Sequence, residues 1–168
     1  MLMKKILVSA CLLGHNCRYD GGSNEVELRI MKDWIAEERV VPVCPEVKGR
    51  LGIPRERSEI SGDRVITESG KDVTDAFERG ARETLELALE EDVIFAIFKE
   101  NSPSCAINSV YDGTFSGNKV PGQGVTAKLL MDHGIEVYNE LQIVEAYRAL
   151  DEAEWDDDMY DSLLMTQF

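Results

Sequence analysis

The sequence has no apolar run approaching the roughly 20 residues needed to cross a bilayer. It holds only 2 histidines, and none of its 4 cysteines shows the C-x2-C spacing that usually marks a zinc site. Positive charge is scarce: 18 Lys and Arg stand against 32 Asp and Glu, a net charge of −14. Such a field repels phosphate, so naked nucleic acid and anionic membranes are disfavoured as partners. A lipoprotein-type signal is also missing. Met1 to Lys5 followed by "ILVSAC" imitates one, yet only Ile6, Leu7, Val8 and two small residues precede Cys11, short of the roughly 7 to 15 residues of a signal core. The expectation is a cytoplasmic protein. In a reducing compartment its cysteines are expected to serve metal binding or catalysis rather than disulfides.

What remains is enough for a core. The chain has 168 residues, 43% of them hydrophobic, the size of one ordinary domain. Residues 4–10 form a compact apolar run without polar alternation, as in a strand buried on both faces. From Glu25, Val26, Ile30, Trp34 and Ile35 recur at helical spacing behind Asn24 as N-cap, predicting a helix to about Glu38. "RVVPVCPE" reads as a second strand, at a sheet edge or with a strand end at Pro42. A small hairpin is expected between Arg57 and Thr67 around a Ser-Gly-Asp turn. Phe77, Ala81, Leu85 and Leu89 mark a helix from Val73 to Glu91.

"VIFAIFK", residues 93–99, is the most apolar strand and runs into "ENSPSC". A long loop over residues 106–123 is functional or disordered by its length, and Tyr111 and Phe115 argue against simple disorder. "GVTAKLLMDHG" is a helix stopped by Gly134, "IEVY" a last strand, and Asn139 the expected cap of a helix to Leu150. Alternating strands and helices predict an α/β fold: one domain over residues 1–150 with a doubly wound, mainly parallel sheet in a Rossmann-like three-layer arrangement. Residues 151–168 read as an acidic C-terminal tail, solvated or loosely docked.

In an open parallel sheet, ligands bind beyond the carboxyl ends of the strands. Cys11, Cys44 and Cys105 each follow a separate predicted strand, so three thiols distant in sequence are expected at one rim. Any single cysteine is more often a small buried hydrophobe; three at equivalent positions point to a metal. Zinc stays open, and so does an iron-sulfur cluster, which tolerates dispersed thiolate ligands. Three thiolates would leave one iron of a four-iron cluster without a protein ligand, free to act as a Lewis acid. Glu46, two residues past Cys44, and Ser102, three before Cys105, are candidates to move protons or to steady a developing charge. Cys17 lies in the first loop, as a structural thiol, a stand-in ligand or a resolving thiol. Arg18 and Arg55 are candidate contacts for a polar ligand.

The blocks "SACLLGHNCRYDG", "CPEVKGRLGIPRERSEI", "KENSPSC" and "YDGTFSGNKVPGQGVTAKLL" resemble, in order and spacing, the motifs of the thiouracil desulfidase-like family of bacterial proteins. The resemblance runs from about Lys4 to Leu150. It implies a [4Fe-4S] cluster held by three cysteines, matching Cys11, Cys44 and Cys105, with an open iron that takes the sulfur of a thiocarbonyl substrate such as 2-thiouracil. It also implies hydrolysis of the C–S bond to sulfide without net redox change, with the family's glutamate and serine matching Glu46 and Ser102. Arg50 and Ala106 stand where the family usually has glycine, and Arg57 where proline is expected. Arg50 is a candidate to line or intrude on the pocket. Two other readings fit the thiols: a non-catalytic zinc or thiol-binding module, and a sulfur-handling partner of another enzyme.

Overall fold

In the computed structural model, which describes residues 3–165, four short apolar runs pair side by side. These strands are β1 (Ile6–Ser9), β2 (Val40–Val43), β5 (Phe95–Phe98) and β8 (Glu136–Asn139), and every pairing among them is parallel. Their order is β2-β1-β5-β8. β1 and β5 are buried along their whole length, which is why their sequences lack alternation. β2 is an edge strand, as Pro42 requires, because a residue without an N–H is tolerated where one side of the strand is unpaired.

Helices cover both faces. On one, Leu7, Val43, Ala96 and Phe98 pack with Ala88 of α3 (Thr74–Glu90) and with Ala127 and Leu130 of α4 (Val125–Asp132). On the other, Ile6, Val8, Phe95 and Ile97 pack with Met31 and Trp34 of α1 (Arg29–Ala36) and with Ile143, Ala146 and Leu150 of α5 (Ile143–Met165). Each large apolar side chain buried this way contributes about 1.5–3 kcal/mol. The three-layer α/β arrangement expected from the sequence is present. A short α2 (Pro45–Lys48) lies so close to α3 that a Cβ on Gly80 would collide with Pro45 O, and one on Gly49 with Ala76 O.

Local differences from the sequence reading have identifiable causes. α1 begins at Arg29, not Glu25, because Asn24 N and Val26 N bond to Cys11 O and Leu12 O, both at 2.9 Å, which keeps this stretch extended. Asn24 is therefore no helix cap; its Oδ1 accepts from Arg18 Nη1. The hairpin β3 (Ser58–Ser61) and β4 (Arg64–Thr67) forms with Gly62 in its turn at a φ of 63°. The long loop holds a second hairpin, β6 (Ser109–Tyr111) and β7 (Lys119–Pro121), and Glu59 Oε1 ties the two together by accepting from Gly113 N and Phe115 N. Asn139 accepts from Leu141 N in a turn ahead of α5 rather than capping it.

The acidic segment beyond Leu150 continues α5 through Met165. Two of its carboxylates anchor it: Asp157 pairs with Lys4 at 2.6 Å and Glu154 with Arg39 at 2.8 Å. Residues 166–168, the end of the expected tail, and residues 1–2 lie outside the described residues. Among the described residues no helix is long and apolar enough to cross a membrane.

Candidate functional site

The carboxyl ends of β1, β2 and β5 open onto one cavity of about 320 Å³. After β1 the chain turns through a 3-10 segment, Ala10–Leu13, that carries Cys11. After β2, Cys44 takes an extended conformation and Pro45 starts α2, which sets Glu46 in the first helical turn. After β5 the chain passes Lys99, Glu100 and Asn101 before turning at Ser102–Cys105. A Cβ on Gly124 would collide with the Ser104 and Cys105 backbone, so this turn rests directly on the entry to α4. Cys11, Cys44, Glu46, Ser102 and Cys105 all line the cavity, and Cys17 lies in its wall with them. All four cysteines are free thiols.

The thiols differ in character. The Cys17 side chain hydrogen-bonds Cys11 and Cys44, and these bonds are the main cause that brings both thiols down to about 7 against the opposing effect of burial. Cys17 itself is held well above the ordinary thiol range, because the same two bonds and its own burial favour its protonated form. Cys105 is pushed up by burial. Ser9 Oγ, which accepts from Lys99 N at 3.1 Å, turns its proton toward Cys105 Sγ at 3.5 Å.

Burial pushes the Glu46 carboxyl up, and the guanidinium of Arg55 opposes the shift. Arg55 Nη2 also donates to Cys17 O at 2.9 Å and Nη1 to Gly52 O at 3.2 Å, so all arms of the guanidinium are engaged. Ser102 Oγ accepts from Ser104 N at 3.1 Å and from Cys105 N at 3.2 Å. With its lone pairs taken by two amides, the hydroxyl has its proton left to give.

The structure thus brings together every site residue expected from the sequence. Arg18 and Arg57 also reach the cavity wall, whereas Arg50 does not. Arg50 points outward to Glu83 at 3.2 Å with its side chain 66% exposed, which corrects the expectation that it shapes the pocket. Other polar wall residues were not proposed as site residues from the sequence, among them Ser9, Tyr19, Lys99, Glu100 and Asn101. Lys99 and Asn101 follow β5 directly, so the rule that picked the cysteines was also a signal for them. Asn101 sits at a φ of 66°, a conformation asparagine tolerates better than most residues.

A three-layer α/β protein with thiols, a carboxylate and a hydroxyl gathered at the rim of its parallel sheet is the class that fold and site define. The sequence model described as 2-thiouracil desulfurase matches residues 6–142. The chain belongs to the 2-thiouracil desulfurase family. It is 43% identical over 148 residues to the uncharacterized protein YbbK of Bacillus subtilis (strain 168), across 82% of this chain and 97% of that one. Among solved structures it is similar to a [4Fe-4S]-dependent thiouracil desulfidase, TudS, at 46% identity and a TM-score of 0.87, across 88% of this chain and 98% of that chain.

Proposed function

We propose that this chain is a hydrolytic desulfidase that uses a [4Fe-4S] cluster to replace the sulfur of a thiolated pyrimidine with oxygen, releasing sulfide without net electron transfer. The observation that carries this reading is the convergence of Cys11, Cys44, Cys105, Glu46 and Ser102 on one cavity. Family membership and the description of the TudS structure support it. The donor set suits the group: Cys11, Cys44 and Cys105 come from three separate strand ends, and thiolates are the usual anchors of iron-sulfur clusters.

When bound, the cluster supplies a soft Lewis acid matched to a thiocarbonyl sulfur. The chain's own residues do the rest. Glu46 takes a proton from the attacking water, and its burial, which raises its basicity, suits that task. Ser102 gives its hydroxyl hydrogen bond to the charge that develops as the C–S bond weakens, and its two amide donors hold the oxygen in place. Arg55 keeps Glu46 aimed and favours its carboxylate form against the effect of burial. The balance is one water consumed, with carbonyl oxygen replacing thiocarbonyl sulfur and hydrogen sulfide leaving.

The decisive experiment is anaerobic purification, reconstitution with iron and sulfide, and measurement of sulfide release from 2-thiouracil without reductant. Sulfide formed in step with uracil supports the reading. A colourless, zinc-loaded protein after that treatment, or a cluster-loaded protein with no turnover, overturns it in favour of a thiol-binding module or a sulfur-handling partner respectively.

A further inference from the structure

β1 ends on a polar residue that its surroundings do not call for. Ser9 is 2% exposed, and Ile6, Leu7 and Val8 before it are fully buried. Alternation along the strand puts Ser9 on the face of Leu7, where Leu7, Val43, Phe98 and Cys105 pack together. An apolar side chain would fit there unaided, whereas a buried hydroxyl costs free energy unless it is hydrogen-bonded. Ser9 Oγ is bonded twice. It accepts from Lys99 N at 3.1 Å, just past the end of β5, and it donates to Cys105 Sγ across 3.5 Å. Chemistry fixes the direction of the second bond: a cysteine sulfur that ligates a metal carries no proton, so with Cys105 as a ligand the proton can come only from Ser9. Cys105 also needs an anchor more than its fellow ligands do. Cys44 follows β2 directly and Cys11 sits in the 3-10 segment at the end of β1, whereas a whole turn separates Cys105 from β5. Ser9 lines the cavity with all three thiols, and the reaction proposed above gives it no task.

Resting on the desulfidase reading above, we propose that Ser9 is a positioning residue for the cluster: its hydroxyl, aimed by the Lys99 amide, donates a hydrogen bond to the ligating sulfur of Cys105. Such a bond offsets negative charge on the sulfur and so raises the potential at which the cluster accepts an electron. It also ties the ligand carried by the longest excursion to β1, a strand paired on both sides. Groups that hold metal ligands in this way typically govern affinity by about 10- to 100-fold.

The test compares the wild-type protein with Ser9→Ala, Ser9→Thr and Ser9→Val. Threonine and valine have nearly the same shape and differ by the hydroxyl, so their contrast separates the hydrogen bond from packing. All four proteins are reconstituted anaerobically with iron and sulfide. Iron and labile sulfide per chain, midpoint potential and the rate of iron loss to a chelator are measured, with circular dichroism to verify folding. The expected result is a full cluster in all four. Ser9→Ala and Ser9→Val then have a more negative potential and on the order of 10-fold faster iron loss, and Ser9→Thr lies near the wild type. An unchanged potential in Ser9→Ala and Ser9→Val overturns the proposal and leaves Ser9 a brace for the Lys99 amide, a role that moves stability alone. Equal shifts in Ser9→Thr and Ser9→Val overturn it as well, because the added methyl group is then the cause. Should Ser9→Ala not fold, the threonine and valine variants carry the comparison with the same two outcomes. A wild-type protein that takes up no cluster overturns the desulfidase reading itself, a failure distinct from that of Ser9 alone.

Discussion

Arg55 Nε lies 3.3 Å from Glu46 Oε1, with side-chain exposures of only 9% and 18%. Burial pushes this carboxyl up and makes it more basic, and the Arg55 guanidinium opposes the shift. Glu46→Gln is therefore expected to fold and take up iron like the wild type, since no thiol is touched, and to release sulfide on the order of 10²- to 10⁴-fold more slowly. Iron content together with sulfide release from 2-thiouracil checks both halves. Turnover at the wild-type rate would remove Glu46 from the reaction.

Ser102 makes a different prediction, because its oxygen is already occupied by Ser104 N and Cys105 N. Ser102→Ala removes the proton donor and leaves those two amides unpaired at the turn that carries Cys105. Sulfide release should fall by about 10²- to 10³-fold, the usual consequence of removing one donor from a developing charge, with iron content retained. Ser102→Thr, which keeps the hydroxyl, should recover part of the rate.

Glu100 governs the floor of the cavity on the β5 side. Its carboxylate accepts from Asn108 N and Ser109 N, both at 3.0 Å, and from Asn139 Nδ2 at 2.7 Å. Burial pushes this carboxyl up, and the hydrogen bonds more than offset it, leaving it below the ordinary value of 4.5. The group thus contributes stability that is fully present above the unfolded-state value and is lost as pH falls through the lower folded-state value. Glu100→Gln should lower Tm most at neutral pH, and the gap to the wild type should narrow on acidification below about pH 4.5. Parallel melting curves across that range would show otherwise.

Arg50 sits at a φ of 65° with its side chain in solvent. A left-handed conformation costs a non-glycine residue roughly 1–2 kcal/mol, and glycine gives back part of that through its freer unfolded chain. Arg50→Gly should raise stability by about 0.5–1 kcal/mol and leave sulfide release unchanged, since Arg50 is absent from the cavity wall. Denaturant melts and an activity assay on the same preparation test both parts.

Cys11, Cys44 and Cys105 were legible in the sequence because each lies at or a short loop past the end of an apolar run, and such runs in an alternating α/β chain deliver the residues that follow them to a common rim. Asn24 misled for a physical reason. Its helical neighbourhood, Val26 and Ile30, is real in burial, but backbone bonds to Cys11 O and Leu12 O outweigh local propensity. The helical run past Leu150 was hidden because Asp156, Asp157 and Asp158 read as solvated, while the ions that hold Asp157 and Glu154 come from Lys4 and Arg39, far away in sequence. Cys17 illustrates the remaining limit: its place between two other thiols depends on three loops meeting, and no spacing along the chain encodes that.

The contacts of Gly80 with Pro45 and of Gly124 with Ser104 and Cys105 join main chain to main chain, with no rotatable group in between. Two of the three thiol-bearing segments are thereby braced by backbone alone, and neither can slump into the cavity by changing a rotamer. These main-chain contacts do not depend on any group in the cavity. Loading becomes an insertion into a standing frame rather than a step of folding, and a chain stripped of iron by air should accept it again without first unfolding.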